Sequence, residues 1–122
     1  MTADTGQESL PVFVYGSLRD PEVRARLLGV RTDLSTEPAM LHGHARTLVP
    51  GFGYPFVVPA DPGDRVDGEL LLGLRAVDYD ALDEYEDVGE GLYERAVVTV
   101  QALSGPVRAW VYLKGPAEPP LA

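Results

Sequence analysis

The stretch from Glu94 to Leu103, "ERAVVTVQAL", meets a second stretch from Val107 to Lys114, "VRAWVYLK", across Ser104-Gly105-Pro106. Both runs are rich in β-branched and aromatic residues, and the three residues between them signal a hairpin. This pair commits the C-terminal third of the chain to antiparallel sheet. Further strands are readable upstream at Val12–Tyr15, Ala39–Leu48 and Val66–Leu74, the last preceded by the turn Pro62-Gly63-Asp64. A short apolar piece, Tyr54–Val58, is flanked by prolines and reads as an edge strand. Two short helices interrupt the strands. The first starts at Asp20-Pro21-Glu22, where Asp20 caps, Pro21 suits the first helical position and Glu22 favours the first turn, and it stops at Gly29. The second starts from a capping Asp78 and runs from Tyr79 to about Asp87, with Gly89 near its stop. Five or six strands with two helices make an α+β chain with a mostly antiparallel, possibly closed sheet. A single domain over residues 10–115 is expected, with loose tails at 1–9 and 116–122.

Composition narrows the function. The net charge is −9, from 10 basic and 19 acidic residues, and the basic residues are scattered singly. Nucleic acid and anionic membrane surfaces both call for clustered Lys and Arg, so neither is an expected partner. The chain has no cysteine, which removes disulfides, thiolate metal sites and a cysteine nucleophile together. There is no long apolar run and no basic-plus-apolar leader, so the cytoplasm is the default compartment. With no apolar surface stripe left over once the elements are assigned, a monomer is the default state.

Two places break the ordinary pattern. At "VFVYGSL", residues 12–18, an apolar strand ends on a tyrosine, a glycine and a small hydroxyl, and a helix begins almost at once. The second is in "YDALDEYED". At about 100° per residue, Tyr79, Leu82 and Tyr85 define the apolar arc of that helix, and Asp80, Glu84 and Asp87 fall opposite. Glu86 lands between Tyr79 and Leu82, and Asp83 stands on the border of the arc. An inward carboxylate must be hydrogen-bonded, neutralised or used. Burial would raise its pKa towards the range where it exchanges protons at neutral pH. The alternative is a helix-end Glu whose long stem carries the charge out to water. The wheel leaves both open.

In order along the chain, "VFVYGSL" at 12–18, "YP" at 54–55, "VDGEL" at 66–70, "LDEYE" at 82–86, "YER" at 93–95 and "AWVYL" at 109–113 resemble the gamma-glutamylcyclotransferase-like family. The likeness covers nearly all of the folded chain. It implies a small β-barrel with helices packed around it. It also implies that the turn at Tyr15, Gly16, Ser17 and Leu18 binds the glutamyl end of a substrate, that Glu86 is the general acid/base, and that Tyr93 contacts substrate. The implied reaction is cyclisation of a γ-glutamyl amide to 5-oxoproline, with release of an amine or amino acid. No cofactor or metal is implied, because the nucleophile is the substrate's own amine. The leaving group is not specified, and the Pro- and Gly-broken stretch from Val49 to Asp64 is the expected specificity element.

Other residues keep two readings. Ser17 is either a nucleophile or, with no base in view, a substrate-binding or capping hydroxyl. Arg19 pairs with a carboxylate or is simply solvated. His42 and His44, two apart on one expected strand, are a metal pair without a third ligand or ordinary surface or packing histidines. Glu69 is a second polar site residue or faces outward. Trp110 and Tyr112 pack in the core or line a pocket. The competing functional readings are a non-catalytic small-molecule binding module on the same fold, and a hydrolase acting through Ser17.

Overall fold

The computed structural model describes residues 10–30, 32–48, 51, 55–86 and 88–116. Apart from Pro116, the expected tails lie outside this set, as do Tyr54 and Asp87. The strands are β1 (Val12–Val14), β2 (Ser35–His42), β3 (His44–Leu48), β4 (Pro55–Pro59), β5 (Arg65–Leu72), β6 (Tyr93–Ala102) and β7 (Gly105–Lys114). The helices are α1 (Pro21–Leu28) and α2 (Ala76–Tyr85), with single 3₁₀ turns at Ser17–Arg19 and Val88–Glu90. Five strands close into a mixed barrel in the order β1-β5-β2-β6-β7, and β3 with β4 forms a separate ribbon. All barrel pairings are antiparallel except β1 with β7, the parallel pair that closes it.

β1 is short because it is covered on both faces. Phe13, and Tyr15 just beyond the strand, turn into the barrel with Leu41, Leu70 and Val111. Val12 and Val14 turn outward and pack with Leu71, Tyr79 and Leu82 beneath the helices. A strand buried on both sides reads as a continuous apolar run, which is why Val12–Tyr15 shows no alternation. Each such side chain contributes about 1.5–3 kcal/mol by leaving water. Gly68 permits the close approach of β1 to β5. A Cβ there would come 2.3 Å from the Val14 carbonyl oxygen and 2.7 Å from the Phe13 ring.

Two expected elements are corrected. Ala39–Leu48 is not one strand: the chain reverses at Gly43, whose φ is +74°, a conformation that glycine adopts without strain. The Gly43 N–H donates to the Asp64 carbonyl at 2.8 Å, and its own carbonyl accepts from the Ala60 N–H at 2.8 Å. Hence β2 stays in the barrel, β3 leaves it to pair with β4, and the strands among the described residues number seven rather than five or six. The second helix begins three residues earlier than expected. Asp78 is its third residue, and its carboxylate reaches back to accept from the Arg75 N–H at 2.7 Å, so the acid closes the helix start from inside. The first helix begins as expected, with Asp20 Oδ1 accepting from the Glu22 N–H at 2.9 Å.

Candidate active site

A cavity of about 710 Å³ opens where the end of β1 meets the end of α2. Tyr15, Gly16, Ser17, Leu18, Tyr93 and Glu86 all line it, so the structure brings the six sequence-nominated residues to one place. Their chain separations show how. Tyr15–Leu18 is the exit of β1, Glu86 is the C-terminal cap of α2, and Tyr93 opens β6.

The turn is built by its own backbone. Arg19 N–H donates to the Gly16 carbonyl at 2.9 Å and Asp20 N–H to the Ser17 carbonyl at 3.0 Å. A 3₁₀ turn of this kind leaves the N–H groups of Ser17 and Leu18 without an acceptor inside the turn. A Cβ built on Gly16 would meet nothing within 4 Å, so that edge of the turn faces open space. Two long-range bonds and one from the adjacent helix fix it. The Tyr15 hydroxyl donates to the Tyr112 carbonyl at 2.5 Å. The Ser17 and Tyr85 hydroxyls share a hydrogen bond of 2.7 Å, 68 residues apart. Arg24 Nη1 donates to the Leu18 carbonyl at 2.8 Å. Tyr85 is thus not part of the apolar arc, as the wheel implied. It is 42% exposed and ties the turn to the residue preceding Glu86.

Glu86 is half-buried, and its N–H donates to the Leu82 carbonyl at 2.9 Å. The wall beside it is rigid. Tyr112 donates to Asp83 Oδ1 at 2.7 Å, and Arg95 Nε stands 3.3 Å from the same oxygen. The Arg95 guanidinium in turn lies 4.5 Å from the Trp110 ring centroid and 5.1 Å from that of Tyr79. Burial pushes the Tyr15 phenol well above its ordinary range, with Tyr93 and Glu86 adding to the effect. Burial, then the bond to Asp83, does the same for Tyr112. Both are therefore neutral hydroxyl donors at physiological pH, and neither is a base.

Two further charged residues line the cavity. Glu69 on β5, whose role the sequence left open, faces it, and Arg46 on β3 stands at its exposed rim. Residue alternation places Glu69 on the face opposite Gly68 and Leu70, but not what covers that face. Arg46 carries no sequence signal. Tyr112 proves both buried and cavity-lining. His42 and His44 do not share a strand face, because the reversal at Gly43 separates them. His44 Nδ1 instead stands 3.0 Å from the His42 carbonyl. Among the described residues no group of three or more His, Cys, Asp or Glu is placed to hold a metal ion. No helix among them is long and apolar enough to cross a membrane.

A closed mixed barrel with two helices over the end of β1 is the architecture of gamma-glutamyl cyclotransferase-like proteins. A solved structure described as gamma-glutamyl cyclotransferase shares this fold with a TM-score of 0.72 at 21% identity, over 89% of this chain and 68% of that one. Residues 12–121 match the family described as "Gamma-glutamyl cyclotransferase, AIG2-like", and the chain belongs to it. Protein AIG2 C of Arabidopsis thaliana is 37% identical over 93 residues, 76% of this chain and 53% of that protein. AIG2-like protein D of the same plant is 42% identical over 89 residues, 73% of this chain and 55% of that protein. A solution structure from Arabidopsis thaliana, 34% identical, has a TM-score of 0.73 over 86% of this chain and 61% of that one. The chain spans about half the length of the curated relatives it matches.

Proposed function

We propose that the protein is a gamma-glutamyl cyclotransferase that converts a γ-glutamyl amide to 5-oxoproline and a free amine or amino acid. The observation that carries this reading is the meeting of the Tyr15–Leu18 turn and Glu86 in one cavity, joined through the Ser17–Tyr85 hydrogen bond of 2.7 Å. The N–H groups of Ser17 and Leu18, which have no acceptor inside the turn, suit the substrate's α-carboxylate or the developing oxyanion. The cavity then holds the glutamyl chain folded, with its amine about 3 Å from the γ-carbonyl carbon, which makes the attack intramolecular. Glu86 accepts a proton as the amine attacks and returns one to the leaving nitrogen as the amide C–N bond breaks. The balance closes without water: the ammonium loses two protons in becoming the lactam N–H, and the leaving nitrogen gains two in departing as an ammonium. Ser17 spends its hydroxyl on Tyr85 and serves to hold the turn, not to attack.

The test is a panel of γ-glutamyl dipeptides and amines assayed for 5-oxoproline. Glu86→Gln is expected to lower turnover by about 10²–10⁴-fold with an unchanged melting curve. Full activity in that variant sinks the mechanism. Ligand-induced stabilisation with no 5-oxoproline across the whole panel would make the protein a binding module instead.

A further inference from the structure

Glu69 carries an anomaly that the proposed chemistry above leaves unused. Its Oε1 is buried and finds no hydrogen-bond donor among the described residues. Arg24 Nη1 stands 4.0 Å away, too far to donate, and gives its hydrogen bond to the Leu18 carbonyl instead. A buried carboxylate oxygen without a donor costs more than an ordinary lost hydrogen bond, so such oxygens are found where something supplies the donor. Glu69 lines the cavity with 27% of its side chain exposed, and a turn of the carboxylate about its soft terminal torsion brings either oxygen to a bound molecule.

The position narrows what that molecule presents. Glu69 pairs in register with Val14, the residue before Tyr15, so its carboxylate stands beside the turn formed by Gly16, Ser17 and Leu18. A ligand whose carboxylate sits on the turn's N–H groups presents to Glu69 a group on the same or the next carbon. For a carboxylate oxygen the best match is a cationic donor, since charge and hydrogen bond then act together. Of the two other acids lining the cavity, Asp20 caps α1 through Oδ1 and Glu86 is assigned the proton transfer.

We propose that Glu69 anchors the ligand's α-ammonium group, so that the turn and β5 together recognise an α-amino acid head. The inference rests on the cyclotransferase reading for the identity of the ligand, not for the geometry. An ammonium has three N–H donors. One goes to Glu69 and holds the nitrogen, and another faces Glu86, which takes the proton. Two acids then divide the work: Glu69 orients the nucleophile and Glu86 exchanges its proton.

The experiment is a binding cycle in the Glu86→Gln protein, which stops turnover. It compares γ-glutamyl-alanine with glutaryl-alanine, the same molecule without its α-amine, by calorimetry. Without a second change, γ-glutamyl-alanine is expected to bind about 10- to 100-fold more tightly, the worth of a hydrogen bond to a charged group. Adding Glu69→Gln is expected to erase that preference while leaving glutaryl-alanine within about twofold. Adding Glu69→Asp, which keeps the charge, is expected to restore part of it. Equal weakening of both ligands by Glu69→Gln, an undiminished preference, or no binding of either ligand overturns the inference. 5-Oxoproline assays with Glu86 intact separate the two claims. Amine recognition through Glu69 without any 5-oxoproline would refute the proposed reaction and leave this inference standing. Turnover with no role for Glu69 in amine binding would do the reverse.

Discussion

The cavity has two walls built in different ways. The Tyr15–Leu18 wall is held by polar bonds, two to distant elements, Tyr15 to Tyr112 and Ser17 to Tyr85, and one to the adjacent helix, Leu18 to Arg24. The β3–β4 wall stands outside the barrel and is anchored mainly by apolar side chains, with one backbone hydrogen bond from Val57 to the Tyr15 phenol. Phe56 and Val57 are wholly buried, and Phe56 lies 4.8 Å from the Tyr93 ring, while Arg46 at the rim is exposed. Directional bonds set positions to fractions of an ångström, as a site of proton transfer demands. Apolar contacts hold an element down without fixing its side chains so closely. In the proposed reaction the first wall would carry the chemistry and the second would vary with the leaving group.

The comparison can be broken at the ribbon first. Phe56→Ala removes its main anchor and is expected to cost about 3–5 kcal/mol, read as a lower denaturation midpoint. A loss under about 1 kcal/mol would mean that the ribbon is not held by this ring. Alkaline titration sharpens the other wall. The Tyr15 and Tyr112 phenols have folded pKa values above the ordinary value of about 10. The unfolded chain therefore releases their protons first, and the stability present below about pH 10 falls as pH rises beyond it. Each phenol contributes up to about 1.4 kcal/mol per pH unit to that slope. Tyr112→Phe is expected to flatten the slope by one such share, and an unchanged slope would show that this phenol ionises freely. The smallest stability effect is expected for Ser17→Ala, about 1 kcal/mol. That variant should nevertheless lower kcat, because the turn loses its tie to α2. A Ser17→Ala protein with full kcat would remove the Ser17–Tyr85 bond from the account.

Much of the barrel was legible because it depends on local signals. The Asp20-Pro21-Glu22 start of α1, the β6–β7 hairpin and the doubly buried run of β1 each announce themselves within a few residues. The reversal at Gly43 did not, since a glycine inside an apolar-alternating run looks the same whether the strand continues or turns. Tyr85 was placed in the apolar arc because a wheel assigns faces, not partners. Its hydroxyl bonds to Ser17, a residue 68 positions away.

The sequence by itself determined most of the elements, the family and the six residues to watch, since periodicity, capping and motif order are properties of neighbouring residues. Tertiary structure alone decided that α1 and the turn cover the outer face of β5. That cover leaves Glu69 half-buried beside the turn, with Oε1 out of contact with solvent. The physical reason is that alternation along a strand says which face a side chain takes, whereas desolvation depends on what packs over that face from elsewhere in the chain.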